Sequence, residues 1–404
     1  MKLIDLIFKI LRKKIKLVFK KPISKSLVVF DGTSYNDLTF ILQDFEYFVF
    51  ENRIDRMKEI NLSIHLLVYC VLYFYKIIIK NRLKLYYLYC YALIRVINPK
   101  VIITTIDNSV QFFQISKLLE SNYFIMAIQN ANRLDYARED YRLKKNLSNL
   151  DFNSKVYIPN YFCFGEEEIR LSKKYNLDIK NFYKCGSIRT SNYFHHVNEN
   201  NIKIQKDKFD ICLISEPGND LNSLFIRENL EEGFAKLAKF TIKFVVENNL
   251  KFIFAAKREK GSINFYNELE FYKKYLDKHE YEYLLNNLNE KKNSYASYNA
   301  LFQSTIAVGC QSTLLKDKIG KKEKILSCNL TNWDMYNFPI KGFCSINNCD
   351  YKAFSTRLKR VKEMSIADYF QDINPEQTMF YDPKESTIQK IKSVLRTKVH
   401  QNVI

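Results

Sequence analysis

Few residues that break regular structure occur in this chain. It has 9 glycines and 7 prolines among 404 residues, while 47% of the residues are apolar and 15% are aromatic. This composition excludes collagen-like and disordered chains and favours long helices and strands joined by short loops. The chain is too long for one ordinary core, so we expect two domains of roughly 150 to 200 residues each.

Several familiar catalytic and metal-binding patterns are also missing. The sequence has no G-x-x-x-x-G-K-[ST] loop, no G-x-G-x-x-G fingerprint, no H-E-x-x-H, no G-x-S-x-G and no D-x-D. Its nine cysteines form no C-x-x-C pair, and its five histidines lack metal-ligand spacing. Because several cysteines lie within apolar runs, we expect reduced, buried thiols in a cytoplasmic protein and no metal site. A metal-dependent transferase of the single-domain type is therefore disfavoured.

No uninterrupted apolar run is long enough to span a membrane. The nearest candidate, residues 65–79, is interrupted by Lys76 and is followed by a tyrosine-rich segment at 83–97. We expect two helices here, mostly buried, with one side that can face a membrane.

The N-terminus is strongly basic. Residues 1–21 carry eight Lys or Arg against one Asp, with apolar residues mixed among them. A cleavable signal is excluded, because there is neither a continuous apolar core nor a small-residue cleavage site. The pattern predicts a basic amphipathic helix that binds an anionic inner leaflet, and so a peripheral membrane location. It also fits a helix that caps the first domain and turns its basic face to solvent.

The formal net charge of +19 has two readings. Abundant Lys, Ile, Asn, Tyr and Phe fit an AT-rich coding bias, which accounts for part of the charge. The remainder favours an anionic partner such as a nucleotide, a lipid surface or nucleic acid. Nucleic-acid binding would need basic residues interleaved with exposed aromatics on one surface. Here the basic residues are spread along the chain and the aromatics lie in apolar runs, so we expect no nucleic-acid partner.

Short apolar runs alternate with helical segments in two series. The first series predicts strands at 26–30, 47–50, 101–105, 123–128, 161–165 and 182–186. The second predicts strands at 209–215, 251–256, 305–308 and 324–327. Continuous apolar strands alternating with helices indicate an α/β fold whose parallel sheets are covered on both faces.

A polar stretch between Ser191 and Asp207 is the best interdomain linker. The predicted organisation is a membrane-associating helix at 1–21, a Rossmann-like domain at 22–195, a linker at 196–208, a second Rossmann-like domain at 209–380 and a C-terminal helix at 381–404. Ligands of open parallel sheets bind beyond the carboxyl ends of the strands. The polar residues at those ends are therefore the candidates for a site.

The strongest local signal is the turn formed by Gln311, Ser312 and Thr313. A strand ends, Gly309 permits a sharp turn, and a helix begins whose free N–H groups and positive dipole end suit a phosphate. Asp317 lies about one helical turn further on, where a carboxylate can accept from ribose hydroxyls. The same residues also fit a simple helix cap followed by a solvated aspartate.

Two other strand ends of the second series carry candidates for the same nucleotide. Lys257 and Arg258 suit a diphosphate, and the arginine can bind it with two parallel hydrogen bonds. Glu216 and Gly218 form a turn whose backbone can approach a ligand closely. In a lysine-rich chain, a basic pair and a turn also have ordinary structural explanations.

Candidates for an acceptor site follow the strands of the first series. Asp31 and Asp107 are carboxylates at strand ends, and either fits a general base that takes a proton from an acceptor hydroxyl. Each also fits a common turn sequence. The side chains that suit sugar hydroxyls or an acceptor phosphate are Gln129, Asn130, Asn132, Arg133, Ser187 and Arg189.

The segment 308–322 resembles the Ser-Thr-Leu…Glu…Gly-Lys-Lys-Val segment of a bacterial O-antigen and surface carbohydrate biosynthesis family. Related segments occur in GT-B enzymes that use CMP-linked ulosonic acids and in CDP-glycerol glycerophosphotransferases. The resemblance runs in order from about residue 26 to 335. Its other pieces are the segments 105–108, 127–130, 164–166, 185–189, 255–258 and 294–298. Two departures are Asp317, where the family has Glu, and Ala131, where it has Gly.

The resemblance implies a GT-B fold, in which two Rossmann-like domains face each other across a cleft. It further implies a glycosyltransferase of surface-polysaccharide assembly, with a nucleotide-sugar donor, a lipid-linked or lipopolysaccharide acceptor and no other cofactor. A CMP-linked donor is one option that it leaves open. Two alternatives keep this fold: a CDP-polyol phosphotransferase, and a sugar-nucleotide 2-epimerase. Few histidines follow the predicted strands, which argues against the epimerase.

Overall fold

A computed structural model describes residues 15–53, 56–132, 156–216, 227–291 and 293–400. Its centre is two parallel sheets of six strands each. The strands of the first sheet, in spatial order, are β3 (Tyr47–Phe50), β2 (Leu27–Phe30), β5 (Val101–Thr104), β6 (Phe124–Ile128), β7 (Tyr157–Cys163) and β8 (Asp178–Lys184). Those of the second are β11 (Leu288–Lys291), β10 (Phe252–Glu259), β9 (Phe209–Ile214), β12 (Ser304–Gly309), β13 (Ile325–Asn329) and β14 (Ser345–Asn347).

Helices cover both faces of each sheet, so the central strands are buried along most of their length. In and around the first sheet they are α1 (Tyr35–Leu42), α2 (Ile64–Phe74), α3 (Leu85–Ile97), α4 (Val110–Leu119), α5 (Glu166–Lys174) and α6 (Ile188–Glu199). Around the second sheet they are α7 (Arg227–Glu247), α8 (Ile263–Tyr275), α9 (Lys278–Asn286), α10 (Ala296–Phe302), α11 (Thr313–Gly320), α12 (Tyr351–Glu363) and α13 (Ile366–Phe370). The last helix is α14 (Thr387–His400). The predicted α/β fold with two parallel sheets is confirmed.

Helix α6 joins the two domains, and the predicted linker begins inside it. The linker was expected at residue 196, but the helix continues to Glu199. Ile188 at its start belongs to the core of the first domain, and Tyr193 and Val197 belong to the core of the second. The helix continues into the predicted linker because its apolar residues are still buried where the surrounding sequence is polar.

The C-terminal helix α14 returns to the first domain. Ile388, Ile391 and Leu395 pack into the same core as strand β2. The Thr387 hydroxyl donates to the carbonyl of Cys185 at 2.6 Å. The chain therefore enters the second domain once, after α6, and finishes in the first.

The N-terminal part of the chain contains a small two-stranded sheet. Strand β1 (Lys16–Val18) pairs in parallel with β4 (Glu59–Asn61). The predicted helix over 1–21 is thus wrong for residues 16–18, because their backbone groups pair with β4, and residues 1–14 lie outside the described residues. A π-helical turn, Tyr75–Lys80, follows α2. Among the described residues, no helix is long and apolar enough to cross a membrane.

Candidate functional site

The carboxyl ends of the two sheets border a cavity of about 830 Å³ between the domains. We call this cavity the interdomain cleft. Its size lies in the range of small-molecule sites, and its position is the one where open parallel sheets bind ligands. From the first domain the polar lining residues are Thr33, Asn36, Asp37, Asn130, Asn132, Arg189 and Asn192. From the second they are Ser215, Glu216, Lys257, Arg258, Ser294, Tyr295, Ser297, Tyr298, Gln311, Ser312, Thr313 and Tyr336.

The turn at residues 311–313 connects β12 to α11 and lines the cleft as predicted from the sheet edge. Ser312 is the N-cap of α11, and its hydroxyl oxygen accepts from the N–H of Leu314 at 3.3 Å. A side chain at Gly309 would place its Cβ 3.0 Å from a carboxylate oxygen of Glu216. The missing side chain therefore lets Glu216 approach the turn.

The Glu216 carboxylate accepts hydrogen bonds from the backbone of the turn that precedes α11. Its carboxylate accepts from the N–H of Cys310 and from the N–H of Gln311, the latter at 2.9 and 3.0 Å. Burial raises the pKa of Glu216, and these two N–H donors act in the opposite direction. Cys310 and Gln311 precede the N-cap Ser312, so Glu216 compensates two N–H groups of the turn just before the helix begins. An anionic ligand at this turn would meet the side chains of Ser312 and Thr313.

Lys257 and Arg258 lie in the last part of β10 and line the cleft. Their backbone N–H groups both donate to the buried carboxylate of Glu268, at 2.9 Å each. The Lys257 ammonium donates to the backbone carbonyl of Glu216 at 3.1 Å. Glu268 thereby fixes the backbone from which both cationic side chains reach the cleft.

Among the described residues, Asp37 is the acidic residue that the first domain contributes to the lining of the cleft. It lies in the first turn of α1. Arg189 donates to both of its oxygens, with Nε–Oδ1 at 3.0 Å and the second contact at 3.1 Å. Asn192 donates to the Asp37 backbone carbonyl at 2.8 Å. Two residues of α6 therefore hold Asp37 in a fixed orientation at the edge of the cleft.

The two predicted carboxylates of the first domain are buried and do not line the cleft. Asp31 accepts from Arg53 at 2.8 Å and from the hydroxyl and backbone N–H of Thr33. Asp107 accepts from the Tyr161 hydroxyl at 2.7 Å. Both carboxylates are engaged in contacts within the first domain.

Three other predicted residues also lie away from the cleft lining. Buried Gln129 donates to Glu168 at 2.9 Å, and Ser187 caps α6. Asp317 is almost completely buried and accepts from the Tyr298 hydroxyl at 3.0 Å. Burial raises its pKa to about 6. An enclosed Asp317 does not reach a ligand in the cleft in this arrangement of the domains.

Asn132 connects the two domains at the 311–313 turn. Its backbone N–H donates to the Thr313 hydroxyl at 2.9 Å, and its side-chain amide donates to the backbone carbonyl of Gln311 at 3.2 Å. The Lys316 ammonium donates to its side-chain oxygen. Asn130 lines the cleft beside it. Of the remaining predicted residues, Arg133 and Gly218 lie outside the described residues.

Sequence reasoning missed Asp37, Asn192 and Tyr295 among the lining residues. Asp37 stands three residues after Ser34 in the first turn of a helix, beyond the end of β2. The rule about strand ends selected Asp31 from this segment, which lies closer to the strand. Nothing in the local sequence marks Asn192, which reaches the cleft through the packing of α6. Tyr295 lies in the segment 294–298 of the family resemblance, but it was not singled out as a site residue.

Neither protein-family models nor curated proteins match this sequence. Solved structures do resemble it. The wall teichoic acid polymerase TagF aligns with a TM-score of 0.52 and 11% identity over 100% of both chains. Its H548A variant gives 0.50 and 10% identity over 99% of both chains. The UDP-GlcNAc 2-epimerase of Methanocaldococcus jannaschii, in complex with UDP-GlcNAc and UDP, gives 0.49 and 8% identity over 95% of this chain and 100% of its own.

The likeness to TagF concerns the fold. Together with the two facing parallel sheets, it shows that this chain has a GT-B fold. The molecule is thus a GT-B protein whose two Rossmann-like domains border a ligand-sized, polar cleft.

Proposed function

We propose that this chain is a glycosyltransferase that moves a sugar from a nucleotide-sugar donor to a lipid-linked or lipopolysaccharide acceptor. One observation carries the proposal: Ser312, Thr313, Lys257 and Arg258, from the ends of two different strands, line the same cleft as Asp37 of the opposite domain. The first four suit a donor diphosphate, and a carboxylate facing them suits a base. The sequence resemblance to surface-carbohydrate proteins supplies the biological setting, bacterial surface-polysaccharide assembly.

In the proposed reaction an acceptor hydroxyl oxygen forms a bond to the anomeric carbon of the donor sugar. The bond between that carbon and the phosphate oxygen breaks, and the nucleotide leaves with the electron pair. Lys257 and Arg258 would stabilise the charge that develops on the leaving phosphate. Asp37 would take the hydroxyl proton and replaces Asp31 and Asp107 as our candidate base, because it lines the cleft. The proposal requires no metal ion or other cofactor.

A thermal-shift panel of CMP, CDP, UDP, GDP and dTDP tests the donor site. A saturating nucleotide would stabilise the folded protein by about 2 to 3 kcal/mol, a rise of several degrees in Tm. In Ser312→Ala we expect that rise to be lost. Ser262→Ala is the matched control, because Ser262 also caps a helix through its hydroxyl but is not part of the cleft lining. Each variant loses about 1 kcal/mol of capping, and only the first should lose the nucleotide response. If no nucleotide raises Tm, the donor-site proposal fails.

A second candidate is transfer of a polyol phosphate from a CDP-polyol. It is favoured by three cations among the described lining residues of the cleft, Lys257, Arg258 and Arg189, which suit a transferred phosphoryl group. Incubation with CDP-glycerol, and separately with the nucleotide sugar selected by the thermal-shift panel, distinguishes the two reactions. Only a polyol phosphotransferase would release CMP from CDP-glycerol. Conversion of a UDP-sugar to its 2-epimer without any acceptor would instead identify an epimerase.

We further propose that the enzyme acts in the cytoplasm, peripherally on the inner face of the membrane. The basic residues of segment 1–21 support this location, since each Lys or Arg near an anionic surface contributes about 1 kcal/mol. A lipid-linked acceptor would be met at the same surface.

A further inference from the structure

Helix α2 and the π-helical turn after it expose a continuous apolar face. The exposed apolar side chains recur every three or four residues, the spacing of one helix face. They are Ile64, Leu67, Val68, Val71, Leu72, Tyr75 and Ile79. Val71 is 77% exposed and Ile64 is 71% exposed, so this stripe lies open along the whole element.

The opposite side of the same element is well packed. Leu66 and Ile77 are buried, and Tyr73 lies against Tyr91 of α3 with ring centroids 4.8 Å apart. The helix is therefore held in place by α3, and its outward face is a fixed surface. Contiguous apolar surface of this kind on a folded protein marks an interaction site.

The charged residues next to the stripe in the chain have one sign. Lys80, Arg82 and Lys84 follow its end within five residues, and all three are exposed. Between residues 60 and 106 the sequence contains no Asp or Glu. A second copy of this chain is a poor partner, because a two-fold interface would bring these cations together. The partner that complements this face has an apolar interior and an anionic boundary. An anionic lipid bilayer has that structure.

We propose that this face of α2 docks on an anionic membrane, with the apolar stripe at the acyl boundary and Lys80, Arg82 and Lys84 among the head groups. The inference deepens the membrane association proposed above, by assigning it to a surface of the folded first domain in place of segment 1–21 alone. Docking of the first domain would bring its side of the cleft to a lipid-linked acceptor, and that consequence rests on the proposed function.

Flotation of the full chain with vesicles of phosphatidylcholine, with and without phosphatidylglycerol, tests the inference. In Val71→Glu we expect the bound fraction to fall roughly tenfold or more, because the new carboxylate would enter the apolar layer. The matched control is Ile263→Glu, since Ile263 is 72% exposed on α8 of the second domain, and it should bind like the unchanged chain. In Lys80→Glu/Lys84→Glu we expect most of the gain from phosphatidylglycerol to disappear.

Four outcomes would overturn the inference. The first is that the unchanged chain floats with neither kind of vesicle, and the second is that Val71→Glu floats as well as the unchanged chain. The third is that binding is lost only when residues 2–14 are removed. The fourth is that Val71→Glu dissociates a dimer without affecting lipid binding. The nucleotide thermal shift, measured on the same variants, tests the proposed donor site separately from membrane docking. A retained shift in Val71→Glu shows intact folding and donor binding, whereas flotation without any nucleotide response would leave docking valid and remove the donor site.

Discussion

Asp37 and Arg189 form the most specific polar pair at the cleft. The guanidinium donates to both carboxylate oxygens, which fixes the direction of the carboxylate more tightly than a single contact does. Because Arg189 belongs to α6 and Asp37 to α1, the pair depends on the packing of two helices. In the proposed reaction an acceptor hydroxyl would approach this oriented carboxylate.

For Asp37→Asn we expect turnover of the donor to fall at least roughly a hundredfold, because the amide cannot accept the proton. The nucleotide-induced rise in Tm should stay, since Asp37 lies on the opposite domain from the 311–313 turn. The measurement is nucleotide release from the donor identified by the thermal-shift panel. Asp107→Asn is the control, because Asp107 is bonded to Tyr161 away from the cleft lining. Full activity of Asp37→Asn, or inactivation by a well-folded Asp107→Asn, would contradict this assignment.

Single residues also show what the sequence could not reveal. Ser312, Lys257 and Arg258 were found because each follows a simple rule about strand ends. The contact between Glu216 and the 311–313 turn was not predicted, because these two segments lie far apart in the chain and no local pattern pairs them. The burial of Asp317 has the same origin, because it depends on how α11 meets the start of α6.

At the scale of elements, most strands with continuous apolar runs were predicted within a few residues. Strands β1, β4, β11 and β14 were missed. They contain three or four residues each and are rich in polar side chains, as in Ser345–Asn347. Such short strands exist because a neighbouring strand supplies their hydrogen bonds, and this neighbour is invisible in a local pattern.

Helix α14 is the element whose loss should matter most to the first domain. Leu395 is completely buried in the core that contains β2. Leu395→Ala should lower the free energy of unfolding by about 2 to 5 kcal/mol, through lost burial and the remaining cavity. Urea denaturation measures this loss, with Ser393→Ala on the exposed side of the same helix as the control. Equal midpoints for the two variants would mean that α14 does not complete this core.

At the scale of the whole molecule, Asp317 lies where the second domain meets the first. Burial raises its pKa from 3.8 to about 6, because a charged carboxylate is disfavoured away from water. The hydroxyls of Thr190 and Ser187 and the charge of Arg189, all near the start of α6, act in the opposite direction. Burial therefore outweighs the groups of α6, and the folded protein favours the protonated form.

This pKa predicts a pH dependence of stability. Below about pH 4 the group is protonated in both folded and unfolded chains and contributes no difference. Between pH 4 and 6 only the folded state keeps the proton, so stability falls as the pH rises. At pH 7 the accumulated loss is about 3 kcal/mol. We expect the free energy of unfolding of the unchanged chain, relative to Asp317→Asn, to fall by this amount between pH 4 and 7.

Asp44→Asn is the control for this measurement. The hydrogen bond from Arg396 lowers the pKa of Asp44, so its contribution is present above its ordinary pKa and is lost on acidification. The two variants should therefore show pH dependences of opposite sign in urea titrations, with the smaller effect for the more exposed Asp44. A relative stability of Asp317→Asn that does not change with pH would show that this carboxyl group titrates normally.

The return of α14 to the first domain also sets an order of events during synthesis. A ribosome makes residues 209–380, a complete sheet with its helices, before it makes Leu395. Until then one face of the first sheet, with Leu27 and Val29, lacks one of the helices that cover it. The second domain can thus finish folding while the first still exposes apolar surface, which is the period when a nascent chain is most exposed to aggregation and to chaperones. The domain that begins first is completed last.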